Sequence, residues 1–244
     1  MRIRVINPNT TPRMTAQIDS AARAVAALGT EITTQSPSFG APSIECHHDD
    51  VWAAAGVAEQ VRLGEAQGAD AYVIACFGDP GLHAAREFAR GPVVGIAEAA
   101  FHAASLIATG FSVVTTLTRT CVIAEHLVLQ YGFERRCRGI HGTDLAVLEL
   151  DNPASGAYER ILARAHQALA QDRSGAIVLG CAGMAELCHR LQRELGVPVI
   201  DGVAAAVKLA EALLGLGLGT SKRGDYAPPP AKTYAGLAAP YSPR

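Results

Sequence analysis

The chain has 244 residues, 49% hydrophobic, 18% charged and 5% aromatic, too apolar for disorder and too evenly interrupted for a fibre, so it reads as a globular protein with chain enough for a core. A formal net charge of −2 and no Lys/Arg cluster leave no basic field to neutralise phosphates, which argues against a nucleic-acid partner. Ile96 to Phe111 and Val203 to Leu218 are interrupted by Glu98 and His102 and by Lys208 and Glu211, and Met1 to Pro8 lacks an apolar signal core, so neither a membrane span nor export is expected.

In chain order, the β-branched run Ile3 to Ile6 predicts a first strand, stopped by Asn7-Pro-Asn9. The carboxamides of Asn7 and Asn9 can either meet a ligand carbonyl or N–H, or form an Asx turn into the helix expected over Arg13 to Leu28. A strand over Glu31 to Gln35 and the loop Phe39 to Ile44 follow. Glu45-Cys-His-His-Asp-Asp50 is the most metal-like cluster, but adjacent ligands on one short loop rarely close a tetrahedral site. We read it as a solvated helix start, with Asp49 and Asp50 capping a helix over Val51 to Gln67, and expect no metal.

A buried strand over Ala71 to Ala75 ends in Cys76, and Phe77-Gly-Asp79-Pro80 then offers Asp79 as N-cap and Pro80 as first helical residue. Val93 to Val94 predicts a short strand, Ile96 to Ala108 a helix and Ser112 to Thr115 a strand. Thr115 and Thr116 stand where Asn7 and Asn9 do, with the same two readings. Helices over Arg119 to Tyr131 and Tyr158 to Ala170 lead to a strand over Ala176 to Leu179, then Cys181, with Gly183 as a cap for a helix over Ala185 to Leu195. A strand over Val197 to Ile200 and a helix over Val203 to Leu214 complete a βαβ rhythm, hence an α/β fold with mainly parallel sheets. The Gly215-to-Gly219 run follows a helix instead of a first strand, so it is not a nucleotide loop. The Pro-rich stretch from Gly219 to Arg244 is either a surface tail or a segment anchored by Tyr226 and Tyr234.

Three segments recur in order: Ala71 to Leu82 with Ala176 to Leu187, Pro92 to Ala100 with Pro198 to Ala206, and Arg4 to Thr10 with Ser112 to Thr118. The chain is therefore expected to form two pseudo-symmetric lobes. Residues 1–95 with 207–244 would carry Cys76, and residues 96–206 would carry Cys181. Six cysteines without regular spacing make no disulfide scaffold and suit reduced thiols in a cytoplasmic protein.

Ligands bind parallel sheets beyond the carboxyl ends of the strands, where Cys76 and Cys181 stand. Two buried cysteines can be packing alone. With a helix N-terminus facing each sulfur, however, the thiol pKa would fall, and the amides of Phe77 to Asp79 or of Ala182 to Met184 could hold an oxyanion. Facing thiols suit proton removal beside a carbonyl on one face and proton return on the other. Cys121, Cys137 and Cys188 read as packing or incidental thiols. With lysines only at 208, 222 and 232, none at a phosphate-like loop, pyridoxal phosphate is poorly supported, and the reaction envisaged needs no cofactor.

Together, Ile6-Asn-Pro-Asn-Thr10, Cys76-Phe-Gly-Asp-Pro-Gly-Leu82, Val178-Leu-Gly-Cys181-Ala-Gly-Met184, Pro198-Val-Ile-Asp-Gly202 and Ser-Lys-x-x-x-Tyr-x-x-Pro from Ser221 resemble the hydantoin and allantoin racemase branch of the aspartate/glutamate racemase superfamily. The resemblance implies a cofactor-independent isomerase with two flavodoxin-like lobes, an active site in the cleft between them, catalytic Cys76 and Cys181, and a homo-oligomer. It also implies that the loop carrying Ser43 and Ile44 covers the ligand. Asn9, Ser43, Ile44, Phe77, Gly78, Asp79, Thr115, Thr116, Ala182, Gly183 and Met184 are then the expected substrate-binding residues. Amino-acid racemases of the superfamily follow their cysteines with Asn-Thr and Thr-His, whereas this chain has Phe77-Gly78 and Ala182-Gly183. That change suits a flat, neutral cyclic ureide, a 5-substituted hydantoin such as allantoin, better than a carboxylate. The alternatives are another α-carbon acid isomerase, such as an amino-acid racemase or maleate isomerase, and a non-catalytic small-ligand-binding module.

Overall fold

The computed structural model describes residues 1–243. Its first half runs β1 (Arg2–Ile6), α1 (Pro12–Val25), β2 (Glu31–Gln35), α2 (His47–Gln67), β3 (Ala71–Ile74), α3 (Leu82–Phe88), β4 (Val93–Gly95) and α4 (Ile96–Ile107). The second runs β5 (Phe111–Thr115), α5 (Cys121–Gln130), β6 (Cys137–Gly142), α6 (Ala157–Asp172), β7 (Ala176–Leu179), α7 (Cys188–Leu195), β8 (Val199–Ile200) and α8 (Gly202–Gly215). They form two four-stranded sheets ordered β2-β1-β3-β4 and β6-β5-β7-β8, with every strand pair parallel.

The internal repeat is visible in the register. Ile3 pairs with Ala71 and Tyr72 with Val93 in the first sheet; Phe111 pairs with Ala176 and Ile177 with Val199 in the second. Carried along the strands, this register makes Cys76 equivalent to Cys181, Asp79 to Met184 and Gly95 to Asp201.

Each sheet is apolar on both faces, as parallel strands require. One face of each is covered by its own helices: Ile6 and Tyr72 belong to a cluster with Val57 and Val61 of α2, and Ile177 and Leu179 to one with Ile161 and Ala165 of α6. The other faces share a single core, in which Ile3 and Val5 of β1 and Phe111 and Val113 of β5 join α4 and α8. Phe101 of α4 is fully buried at its centre, 5.7 Å from the ring of Phe77 and 5.4 Å from that of Phe111.

Helix α8 is capped by its own Asp201, whose carboxylate accepts from the amides of Val203 and Ala204, both at 3.0 Å. Replacing Asp201 with Ala is expected to cost about 1 kcal/mol, read as a lower urea midpoint, because two N-terminal amides lose their acceptor. No described helix is long and apolar enough to cross a membrane.

β6 lies outside the sequence expectation, and α3 starts later than expected. β6 reads Cys-Arg-Gly-Ile-His-Gly, an edge strand with two glycines and only partial burial, so it carries no apolar run. α3 has seven residues, and Asp79 is not its N-cap: that position is Gly81, at φ 68°. Further on, Cys181 and not Gly183 caps a 3-10 helix over Ala182–Leu187, and α7 starts only at Cys188. In the tail, Lys222 donates to the carbonyls of Arg86 and Glu87 at the end of α3, and Tyr226 stacks on His83. Tyr241, beneath Arg62, supplies the second aromatic anchor, while the Tyr234 side chain is exposed.

Candidate active site

Beyond the carboxyl ends of β1, β3, β5 and β7 lies a cavity of about 640 Å³ counting its open mouth, walled by both lobes. Cys76 and Cys181 both line it. The two turns that carry them match closely: a Cβ placed on Gly78 would lie 3.9 Å from the Cys76 sulfur, and one on Gly183 would lie 3.8 Å from the Cys181 sulfur. Asp79 N–H donates to Cys76 O (3.0 Å), and Met184 N–H to Cys181 O (3.1 Å). Those two amides are therefore spent in closing the turns and do not serve an oxyanion. Cys181 stands at a 3-10 helix N-terminus, but Cys76 does not face a helix start, since α3 begins six residues later.

The electrostatics follow from that geometry. Burial pushes the Cys76 thiol well above its ordinary pKa; the Gly78 amide pulls it down, and the nearby Cys181, Asp50 and Asp79 push it further up. The expected lowering of this pKa by a helix dipole is thus overturned for Cys76. With both sulfurs on one cavity, ionising either one makes ionising the other harder. Elsewhere, Cys137 opens β6 and is pushed by burial up to about 12, and Cys188, bonded to Val199 O at 3.1 Å, up to about 11.

Of the expected substrate contacts, Asn9, Ile44, Phe77, Gly78, Thr115, Thr116 and Ala182 line the same cavity. Asn9 forms the turn and also lines the cavity. Its Oδ1 accepts the Thr11 amide at 2.9 Å, an Asx turn into α1, while its Nδ2 rests 3.4 Å from the weakly accepting Met14 sulfur at the cavity wall. Asn7 is buried and structural, its Nδ2 donating to Asn9 Oδ1 and Thr15 Oγ1. Thr115 donates to Gly180 O at 2.9 Å, so Thr116 is the neighbouring hydroxyl better placed for a ligand.

Four expected contacts stand back from the cavity wall: Ser43, Asp79, Gly183 and Met184. Met184 is fully buried in the core of the second lobe. Asp79 is turned into the protein at φ 45°, accepting from Ala97 N (3.1 Å), Glu98 N (3.0 Å) and the Tyr131 hydroxyl (2.9 Å). Burial raises its carboxyl to about 7 against the pull of those three donors.

Of the wall residues that the sequence reading does not name as substrate contacts, Asp50 is the charged one. Helix α2 starts at His47, four residues before Val51, with Cys46 at the N-cap. Asp49 reaches back to the Glu45 amide (3.0 Å), but Asp50 caps nothing: it lines the cavity, with its Oδ1 beside Gly78. Burial raises its carboxyl, partly offset by His47. Glu45 itself crosses the mouth, accepting from Val147 N at 2.8 Å, so the loop ending at Ile44 is tied to the opposite lobe. Among the described residues no group of three or more His, Cys, Asp or Glu is placed to hold a metal ion.

A parallel two-sheet α/β chain with paired cysteines at matching strand ends has counterparts among proteins of known class. Residues 3–210 match the Asp/Glu/Hydantoin racemase model, and the chain belongs to that family. It is 52% identical over 236 residues to the hydantoin racemase of Rhizobium meliloti, covering 97% of this chain and 98% of that one. Among solved structures it resembles allantoin racemase from Klebsiella pneumoniae, with TM-score 0.98 and 57% identity over the full length of both chains. The structure of allantoin racemase from Pseudomonas fluorescens is similar at TM-score 0.93 and 42% identity, covering 97% of this chain and all of that one.

Proposed function

We propose that this chain racemises 5-substituted hydantoins by two-base proton transfer between Cys76 and Cys181. The observation that carries the reading is that two pseudo-equivalent sulfurs, at the ends of β3 and β7, line one cavity. In a hydantoin the C5 proton is acidified by the adjacent ring carbonyl. One cysteine, as thiolate, takes that proton from one face; the planar enolate then receives a proton from the other cysteine's thiol on the opposite face. The sulfurs exchange protonation states, and the reverse substrate uses them in the opposite order. The amides of Phe77 and Ala182, both at the cavity wall, are left to hold the enolate oxygen.

The cavity favours a neutral ring. Phe77, Ile44, Ile123 and Val147 give apolar walls, Asn9 Nδ2 and Thr116 give donors, and no Arg or Lys lines it to hold a free carboxylate. Asp50 adds an acceptor for N–H groups, which suits the ureido arm of allantoin better than an aromatic substituent. Replacing Asp50 with Asn is accordingly expected to raise KM for allantoin several-fold while changing that for 5-benzylhydantoin less, measured on both rings by polarimetry. A homo-oligomer belongs to the same proposal, supported by the exposed Leu106 and Ile107 at the end of α4 and tested by light scattering.

The test is to incubate the reduced protein with enantiopure allantoin and 5-benzylhydantoin in deuterium oxide, following optical rotation and loss of the C5 proton by NMR against a protein-free control. Loss of rotation with deuterium entering the product enantiomer first supports the two-base reading. Acceleration only on a carboxylate substrate moves the function to an amino-acid racemase or maleate isomerase. Saturable binding without deuterium uptake makes the chain a binding module.

A further inference from the structure

The pseudo-symmetry of the two lobes breaks at one place next to the reactive sulfurs. In the second lobe, Asp201 caps α8 through the amides of its second and third residues, Val203 and Ala204. In the first lobe the equivalent position is Gly95, which has no side chain to offer. The equivalent amides, Ala97 and Glu98, are nevertheless capped by a carboxyl group, and it comes from Asp79, three residues after Cys76. Gly95 and Asp201 share an extended backbone, φ −80°, ψ 146° and φ −87°, ψ 125°. What makes residue 95 glycine is the visiting carboxyl: a Cβ there would lie 2.2 Å from Asp79 Cγ and 2.4 Å from each of its oxygens. Asp79 takes a positive φ to reach this place and receives a third bond from Tyr131, just beyond α5 in the other half of the chain.

We propose that Asp79 is a positioning residue for Cys76: by supplying the cap of α4 from within the cysteine's own turn, it locks that turn onto a helix at the interface of the two lobes. A cap supplied locally, as at α8, stabilises a helix but leaves the cysteine turn unconnected to it. A cap borrowed from the turn couples the two, so the place of the Cys76 sulfur is fixed by the rigid α4–α8 pair. The Cys181 turn carries at the equivalent position Met184, an apolar side chain packed in the core of the second lobe that offers no cap to α8. Removing the Asp79 carboxyl should therefore disturb Cys76 selectively. The inference rests on the two-thiol reading only for its kinetic arm.

The test moves the cap without restoring the link. Asp79→Ala removes both; Asp79→Ala combined with Gly95→Asp gives α4 a local cap of the Asp201 kind, in the space the Asp79 carboxyl vacates. Three quantities are read on the intact protein: unfolding in urea, the alkylation rates of Cys76 and Cys181 by iodoacetamide resolved by peptide mass spectrometry, and racemisation. For Asp79→Ala we expect lower stability, a several-fold change in Cys76 alkylation with Cys181 nearly unchanged, and a fall in kcat of about tenfold or more at similar KM. The double variant should regain most of the stability but neither the Cys76 alkylation rate nor kcat. Recovery of all three would overturn the proposal and leave Asp79 a helix cap only; equal changes at both cysteines would overturn it too. If the alanine variants do not fold, Asp79→Asn, which keeps one acceptor oxygen, is alkylated in their place, and the same selectivity at Cys76 decides. Alkylation and unfolding need no substrate, so they decide the point even if the wild type racemises neither ring.

Discussion

Cys76→Ser and Cys181→Ser are each expected to lower racemisation by roughly 10²–10⁴-fold or more, with urea midpoints close to wild type. A serine hydroxyl keeps the shape of the thiol but gives up its proton far less readily, so each variant lacks either the base or the acid for any given enantiomer. Neither single variant should rescue the other direction, because every turnover uses both sulfurs. The isotopic pattern sharpens the test. In deuterium oxide, the wild type should place deuterium first in the product enantiomer, since the sulfur that removes the proton is not the one that returns it. Substantial racemisation by either variant, or early deuterium in recovered substrate equal to that in product, would mean that one base suffices.

The second large effect concerns stability and pH. Asp79 keeps its proton up to about pH 7 in the fold because burial opposes the charged form, and the facing Glu98 adds to this. The amides of Ala97 and Glu98 and the Tyr131 hydroxyl work the other way without prevailing, and Arg86 is occupied by Glu98 at 2.5 Å. In the unfolded chain the same carboxyl titrates at about 4. Between these values the folded state binds more protons, so this group's contribution to stability is full below about pH 4 and is lost as pH rises to about 7. Asp79→Asn cannot titrate. The stability of wild type relative to Asp79→Asn should therefore fall by roughly 2–3 kcal/mol between pH 5 and pH 8 in urea unfolding. Parallel profiles would show that the Asp79 carboxyl is already ionised at pH 5.

The features legible in the sequence were those written locally. A β-branched run followed by Cys, then Gly two residues on, marks a strand end and a tight turn in adjacent letters, so β3, β7 and both cysteines were found together. What escaped was written at a distance. Asp79 looks like the cap of the helix that follows it, and nothing nearby reveals that its acceptors serve amides 18 and 19 residues on; the missing side chain at Gly95 is the only trace. Asp50 looked like a capping residue because the polar His47-His48 pair hid the first turn of α2, and shifting the helix start by four residues turns its carboxylate from the N-terminus to the cavity. The raised pKa of Cys76 is hidden for a similar reason: the dipole argument needs α3 to start at the sulfur, and it starts at Leu82. β6 was silent because an edge strand with two glycines pairs through its backbone and asks little of its side chains.

The core shared by α4 and α8 also decides how a ligand enters. Many two-lobed α/β proteins admit their ligands by swinging apart about a hinge. Here the inner faces of both sheets are packed on the same two helices, around a fully buried Phe101 that touches Phe77 from one lobe and Phe111 from the other. Swinging the lobes would tear open close-packed apolar surface at a cost far above that of breaking one hydrogen bond. The bond from Val147 N to Glu45 is such a single tie, and it joins two loops at the rim. Passage in and out is therefore expected to be a matter of those loops parting while the sheets stay still, so the gate can be altered by loop substitutions without disturbing the relative placement of the two sulfurs.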